Sequence, residues 1–226
     1  AVDDVEWVEK QGGVKLYWGD SVTEGNYVIK AEDFSDDMVF ISISEYGKTL
    51  KTSPLSTGME LVYEDKIKIC AKDVDQNYET ITKEDKEFKT GSKNPYAELN
   101  ISVRGVPSFD IQVETDKDEY GPEESIDLSE TATNNGDAEA RDAVLTFDTA
   151  GMELVKGKSE YSDSRVPKDE SLNPINLTLT APAPWEDTEY NITAKITCVD
   201  VKDKEYEYVG YKTIKVGKQW NLIVSK

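Results

Sequence analysis

Apolar and polar residues alternate along most of this chain, in short segments separated by turn residues. Tyr27, Ile29 and Ala31 share one parity while their neighbours are polar or smaller, and Ile67 and Ile69 repeat the pattern. Side chains two residues apart point to the same face of a strand, so the alternation predicts strands with one buried and one solvated face. A helical period is almost absent, which favours an all-β fold of antiparallel sheets.

The predicted strands fall into two sets, separated by a short segment that contains Gly105 and Pro107. Glycine and proline between two strand patterns are typical of a linker, so the sequence predicts two tandem β-sandwiches. We expect a first sandwich at 1–104, a linker at 105–108, an Ig-like sandwich at 109–217 and a tail at 218–226. The predicted strands are Gly13–Trp18, Asn26–Phe34, Met38–Tyr46, Met59–Glu64, Lys66–Val74, Tyr96–Arg104, Phe109–Lys117, Ser125–Asn134, Ala140–Thr149, Ile175–Ala181, Tyr190–Val201 and Glu205–Val216.

Charge and composition narrow the classes of function. The chain carries 46 acidic and 26 basic residues, a formal net charge of −20, and has no histidine. So negative a surface repels phosphate backbones and anionic lipid headgroups, so we expect no nucleic-acid partner. Without histidine, Ser-His-Asp and Cys-His triads and histidine-based zinc sites are excluded, and we expect no enzyme within this chain.

The compartment is inferred from the start of the chain and from its apolar runs. The chain begins at Ala1, as after cleavage of a secretory signal, although a cloned fragment would look the same. No apolar run approaches the roughly 18–20 residues that span a bilayer, so we expect no direct membrane insertion of this fragment. The sequence predicts a secreted or cell-surface protein whose native polypeptide continues beyond Lys226.

Cys70 and Cys198 lie far apart in the chain. A disulfide framework needs more cysteines, so two unpaired thiols are favoured over one long-range disulfide. Strand parity supports the same interpretation. Cys198 lies on the core face of its predicted strand, whereas Cys70 shares parity with lysines and faces water.

One acidic segment matches a calcium-loop template in part. Asp73, Asp75, Asn77 and Glu84 occupy positions one, three, five and twelve of that template, but Tyr78 stands where the sharp turn demands glycine. In so acidic a chain such spacings also arise by chance. Calcium at these four residues is therefore a candidate only, and we expect no other cofactor.

Three Asn-x-Ser/Thr sequences are candidate glycosylation sites, at Asn100, Asn176 and Asn191. Each asparagine lies between apolar residues of the opposite parity, so strand geometry turns it toward solvent, where a glycan is tolerated. Exposed asparagines are also ordinary on strands, so occupied and bare sites both stay open. Trp18 and Trp185 are predicted to lie in the core or to plug a strand edge.

The second half contains a motif that carries a resemblance. The segment Phe109–Glu124 includes Asp116-Lys117, Tyr120 and Pro122, and after a strand it is followed by Asn134–Ala140 with an Asn-Gly pair. This resembles the Ig-like, cell-adhesion-related (CARDB-type) domains of prokaryotic surface proteins, although Glu123 stands where glycine is usual. The first half, through 25–34 and 39–48, looks like the β-rich modules of methanogen S-layer-domain proteins.

Together the resemblances imply an archaeal cell-envelope protein and carry over no catalytic residues. The leading hypothesis is a non-catalytic structural or adhesive surface module that contacts other envelope or surface proteins, with glycans as further candidate partners. The alternatives are a glycan- or protein-binding module, and accessory domains of a larger secreted enzyme. An exposed apolar patch would favour a binding module over a spacer.

Overall fold

The structure is a computed structural model that describes residues 4–220. Every regular element in that range is a β-strand, so the all-β prediction is confirmed. The predicted tail at 218–226 is described only as far as Trp220, and the Ala1 start lies outside the described residues. Between residues 4 and 220 there is no helix long and apolar enough to cross a membrane.

The chain divides into two compact units at Gly105. The N-terminal unit comprises Trp7–Arg104, and the C-terminal unit comprises, of the described residues, 105–220 together with 4–6. Residues 105–108 and residues 4–6 thus belong to the C-terminal unit.

The N-terminal unit contains two four-stranded antiparallel sheets and a separate hairpin. One sheet has the order β1-β10-β7-β6, the other the order β2-β3-β4-β5, and β8 and β9 pair only with each other. The strands are β1 Trp7–Tyr17, β2 Ser21–Glu24, β3 Tyr27–Ser35, β4 Met38–Glu45, β5 Lys48–Leu55, β6 Glu60–Tyr63, β7 Ile67–Asp75, β8 Tyr78–Lys83, β9 Lys86–Ser92 and β10 Tyr96–Arg104.

The C-terminal unit contains a four-stranded sheet and a five-stranded sheet. Their orders are β11-β13-β17-β15 and β12-β19-β18-β14-β16, and all pairs are antiparallel except β12 with β19. The strands are β11 Phe109–Thr115, β12 Glu119–Tyr120, β13 Ser125–Asn134, β14 Ala140–Asp148, β15 Glu153–Lys156, β16 Glu160–Val166, β17 Ile175–Thr180, β18 Thr188–Val199 and β19 Glu205–Val216.

Each unit has its own apolar core, built from the strand faces that alternation predicts. Strand β7 buries Ile67, Ile69 and Ala71 completely, and strand β13 alternates exposed and buried positions along its length. Removing such side chains from water is the main favourable term in folding. The largest fully buried side chains are Ile29, Ile41, Ile43, Leu55, Ile67, Ile69, Leu99 and Ile101 in the N-terminal unit and Ile126, Leu128, Leu145 and Leu177 in the C-terminal unit.

A double irregularity in β1 explains why this strand begins earlier than predicted. The register with β10 shifts between Glu9 and Gln11 and again between Gln11 and Val14. Gly13 adopts a φ of +66°, and its backbone N–H donates to Asn100 Oδ1 at 2.9 Å. Bulged residues break the period-two alternation that predicts a strand, so the segment before Gly13 carries no strand signal.

One acidic side chain of the C-terminal unit lies in the core without a hydrogen-bond partner. Glu130 on β13 is fully buried, and neither carboxylate oxygen has a protein donor. Its neighbours across the sheet are Val113 on β11 and Ile175 on β17. Burial disfavours the ionised form and raises the pKa of Glu130 from 4.5 to about 7.

We predict that Glu130→Gln removes a pH-dependent loss of stability. In the wild type the carboxyl of the folded protein holds its proton more tightly than that of the unfolded chain. The free energy of unfolding is therefore highest below pH 4.5 and falls as the pH rises from 4.5 to about 7. A shift of this size corresponds to about 3 kcal/mol. The free energy of unfolding, measured with denaturant, should fall by about that amount in wild type between pH 4 and pH 8. The variant should not show this fall.

Glu114→Gln, on the exposed face of the neighbouring strand β11, is the matched control and should follow wild type. Parallel pH dependences for Glu130→Gln and wild type would contradict a buried, ionisable Glu130.

Candidate functional site

The residues of the Asn-Gly motif form a hydrogen-bonded junction at one end of the C-terminal unit. Asn134, the last residue of β13, is fully buried, and its carboxamide binds three separate segments. Its Oδ1 accepts the backbone N–H groups of Ser108 at 3.1 Å and Gly136 at 3.2 Å. Its Nδ2 donates to the carbonyls of Ala138 at 2.9 Å and Val166 at 3.0 Å. One side chain thus satisfies backbone groups of the linker, the motif loop and the end of β16.

The predicted linker is pinned to this junction by its own backbone. Asn135 N donates to Ser108 O at 2.9 Å, and Asp137 N donates to Val106 O at 2.9 Å. A Cβ at Gly136 would stand 2.4 Å from Ser108 N and Val106 O, so this backbone approach needs glycine. Gly105 N donates to Glu6 O at 2.7 Å, which brings the start of the chain to the same end. Residues 105–108 are therefore part of the fold of the C-terminal unit.

Glu139, next to this junction, is a buried carboxylate with two cationic partners. It is 6% exposed, and its oxygens contact Arg141 Nε at 2.9 Å and Arg165 Nε. Its backbone N–H donates to Glu6 Oε1 at 3.4 Å. A buried carboxylate needs such partners, since removing either arginine leaves a charge poorly compensated.

The Asp-Lys-x-x-Tyr part of the motif closes a second local network. Tyr120 is buried at 3% exposure, and its hydroxyl donates to Asp116 Oδ1 at 2.7 Å while accepting Lys117 N–H at 3.0 Å. This hydrogen bond is the largest cause of the lowered pKa of Asp116, whereas burial, followed by the bond to Asp116, raises the pKa of Tyr120 to about 12. Glu124 Oε2 accepts Gly121 N–H at 2.8 Å. These motif residues thus hold the turn between β11 and β13.

The structure does not bring the four candidate calcium ligands together. Asp73 and Asp75 lie on β7, where Asp73 accepts the Tyr96 hydroxyl at 3.2 Å and Asp75 accepts Asn77 N–H at 2.7 Å. Glu84 lies at the far turn of the β8–β9 hairpin with a φ of +53°. An extended strand, β8, thus fills the segment that a calcium loop would need to fold round its ion. Across residues 4–220, no three acidic or cysteine side chains form a group that could hold a metal.

The three candidate glycosylation sites differ in accessibility. Asn176 on β17 and Asn191 on β18 are exposed, whereas Asn100 on β10 is half-buried. The Asn100 amide also accepts Gly13 N–H and donates to Glu9 Oε2 at 2.7 Å, so it supports the bulges of β1. Of the three candidates, Asn176 and Asn191 therefore have an accessible side-chain nitrogen.

Trp18 and Trp185, which were predicted to lie in the core or at a strand edge, are both exposed. Trp18 is 65% exposed and donates from its indole nitrogen to Glu32 O at 2.8 Å, and Trp185 is 76% exposed. The expectation of core tryptophans was therefore wrong, because a large aromatic ring is also stable at a surface where its N–H finds an acceptor.

Two surface features have the shape or chemistry of a binding site. A cleft of about 220 Å³ in the C-terminal unit is lined by apolar side chains such as Leu145 and Leu172, with Tyr161 and Asn176 also on its wall. In the N-terminal unit, the β8–β9 hairpin carries Ile81 and Phe88, which are cross-strand partners and about half exposed.

Comparisons with known proteins add little to this geometry. No family model matches the chain, and no curated protein matches it. A crystal structure of Spo0M, a sporulation control protein from Bacillus subtilis, is similar at 12% identity and a TM-score of 0.32, and the match covers 50% of this chain and 51% of that one. So low a TM-score carries no argument about fold or function.

We predict that Asn134→Ala destabilises the C-terminal unit by several kcal/mol, in the range of about 2–5. The substitution removes the side-chain partner of the half-buried Ser108 N–H, of the buried Gly136 N–H and of the buried carbonyls of Ala138 and Val166. Thermal and denaturant unfolding measure the loss. Asn135→Ala is the control, since Asn135 is exposed and bonds Ser108 O and Thr133 O through its backbone N–H. Equal stabilities of the two variants would contradict the junction.

We predict that the two thiols react at very different rates in the folded protein. Both cysteines are free, but Cys198 is 3% exposed and burial raises the pKa of its thiol to about 11, whereas Cys70 is half-buried. The thiolate is the nucleophile, so a maleimide at pH 7.5 should label Cys70 well before Cys198. Labelling in denaturant should equalise the rates, and equal rates in the native protein would contradict the burial of Cys198.

Proposed function

We propose that this chain is a non-catalytic structural and adhesive module of a cell envelope, secreted or displayed at the surface and related to archaeal S-layer and CARDB-type proteins. One observation carries the proposal: the side chains that carry the sequence resemblance are engaged in holding the fold. Asn134 and Tyr120 both satisfy backbone groups of turns and connections with their polar atoms. A motif with this role specifies a scaffold.

The surface chemistry supports the same proposal. The chain carries a net charge of −20, while its cores are apolar. Strong like charge keeps modules soluble and apart at high local concentration, which suits an extracellular array. The partners we propose are other envelope or surface proteins, and the exposed Asn176 and Asn191 are the glycan acceptors we propose.

Location is the direct test of this function. An antibody against the purified chain should detect the protein in the envelope fraction of the source cells, and external protease should remove the signal from intact cells. A cytoplasmic marker protein, untouched by the protease, is the control. Recovery of the protein only with the cytoplasmic marker would overturn the proposal.

The exposed pair Ile81–Phe88 favours a second candidate, a protein-binding module. A two-stranded hairpin outside any larger sheet is marginally stable, and an apolar pair on it adds a surface that a partner would cover. Lys83 and Lys86 are also cross-strand partners beside this pair, and like charges directly opposite each other are destabilising. Glu84 and Asp85, in the turn that joins these two lysines, are also exposed, so the hairpin tip carries both signs of charge.

We predict that the double substitution Ile81→Ser, Phe88→Ser lowers co-sedimentation of the purified chain with washed envelope sheets at least several-fold. The loss of apolar contact area is the physical reason. Val155→Ser is the matched control, because Val155 is an equally exposed apolar residue of the C-terminal unit. Unchanged binding of the double variant would rule out the hairpin as the contact.

A further inference from the structure

The chain enters and leaves the N-terminal unit at one end of the same strand pair. Strand β1 begins at Trp7 and strand β10 ends at Arg104, and these two residues are antiparallel partners. Strand β1 is also the edge of its sheet, so β10 is its one ladder partner among the described strands, although Gln11 on β1 also donates from its side chain to Thr23 O on β2. Tension between Trp7 and Arg104 therefore acts across the ladder and loads its hydrogen bonds one pair at a time, from that end inward.

The C-terminal unit has the opposite arrangement, because its first and last strands run side by side in the same direction. The rings of Phe109 and Tyr208 contact each other at a tilt of 58°, with centroids 6.0 Å apart, and Gly210 lies against Ile111 so closely that a Cβ there would meet Ile111 O at 2.6 Å. Farther on, Tyr120 pairs with Val216 in a parallel bridge. Contacts thus advance together along both segments, from 109 to 120 and from 208 to 216.

Parallel first and last strands put the two chain crossings at opposite ends of the C-terminal unit. The chain enters beside Asn134, where Ser108 is bound, and it leaves after Val216, beside Tyr120. Tension between these ends acts along the strands. Such tension shears β11 against β13 and β12 against β19. All the hydrogen bonds of those two ladders are therefore stretched at the same time.

From these two geometries we infer that the C-terminal unit is a tension-bearing element, whereas the N-terminal unit yields by peeling at low force. Forced unfolding is governed by the height of the unfolding barrier, and a barrier that needs many hydrogen bonds to break together is higher than one that breaks them in turn. The inference deepens the proposed envelope role and rests on that role only for its biological use.

The parallel contact between β12 and β19 has the features of a clamp. Lys215 N donates to Asp118 O at 2.9 Å, and Gly217 N donates to Tyr120 O at 2.9 Å. Lys212 Nζ contacts Asp118 Oδ1 at 2.5 Å outside this ladder. The buried Tyr120 ring, held by Asp116 and Lys117, anchors the short strand in the core.

The experiment is single-molecule pulling on the full chain through two pairs of cysteine handles, in a Cys70→Ser background. The pair Asp4→Cys with Val106→Cys loads the N-terminal unit once the Gly105 N–Glu6 O bond, which belongs to the C-terminal unit, has broken, and the pair Val106→Cys with Lys218→Cys places the C-terminal unit between the handles. All three positions are exposed. At equal pulling speed we expect the second pair to rupture at a several-fold higher force. Equal forces, or a weaker C-terminal unit, overturn the inference.

A proline substitution tests the clamp itself within the second pair of handles. Gly217→Pro removes the N–H that bonds Tyr120 O, and the φ of Gly217 lies outside the left-handed region. Gly217→Ala is the matched control, since its Cβ would meet only Tyr120 O, at an ordinary 3.7 Å. We expect Gly217→Pro to lower the rupture force and Gly217→Ala to leave it unchanged. Equal forces for both variants contradict the clamp.

The mechanical inference and the proposed function are tested by independent experiments. A weak C-terminal unit in a protein recovered from the envelope overturns the mechanical inference and leaves the proposed function standing. A strong C-terminal unit in a protein found only in the cytoplasm overturns the proposed function and leaves the mechanical inference standing.

Discussion

The buried carboxamide of Asn134 is the interaction on which the order of the C-terminal unit depends. Sheets satisfy their own backbone groups, but connections that run over a sheet end need other partners, since an unpaired buried N–H or carbonyl is costly. Asn134 supplies two acceptor and two donor contacts within one side chain, to Ser108, Gly136, Ala138 and Val166. It thereby turns a nominal linker and a loop into fixed parts of the unit.

Tyr120 performs the corresponding task at the opposite end. Its ring fills the core beside the exit of the chain, and its hydroxyl joins Asp116 to the backbone of Lys117. The two motif residues therefore fix the two places where the chain enters and leaves the unit. This common role connects the sequence motif to the proposed scaffold function, and it ties both chain crossings to the unit by hydrogen bonds.

Alternation predicted the central strands well because both of their neighbours are strands and one face is buried. Tyr96–Arg104, Ser125–Asn134 and Glu205–Val216 were predicted with their observed bounds. Several edge strands were missed, although the edge strands β6 and β11 were predicted. Strand β5, Lys48–Leu55, is mostly polar and contains Pro54, and strand β16, Glu160–Val166, buries only its last residue. An edge strand needs no continuous apolar face and tolerates proline, so its pattern resembles a loop.

The site residues were harder to predict, although the alternation of residues along β13 does indicate two of them. Within β13, Glu130 and Asn134 share the inward parity of Ile126 and Leu128, so two polar side chains facing the core were visible in the sequence. By contrast, the acidic spacing from Asp73 onward carried no information about geometry. In a chain with 46 acidic residues, such spacings arise without any loop that could gather the oxygens round an ion.

The central claim is that hydrogen bonds outside the regular antiparallel ladders hold the ends of the C-terminal unit as firmly as its core. Amide hydrogen exchange followed residue by residue tests this directly. The account predicts that the amides of Ser108, Gly136, Lys215 and Gly217 exchange only with global unfolding of the unit, as slowly as those of β13. Fast, loop-like exchange of these four amides beside a protected β13 would contradict it.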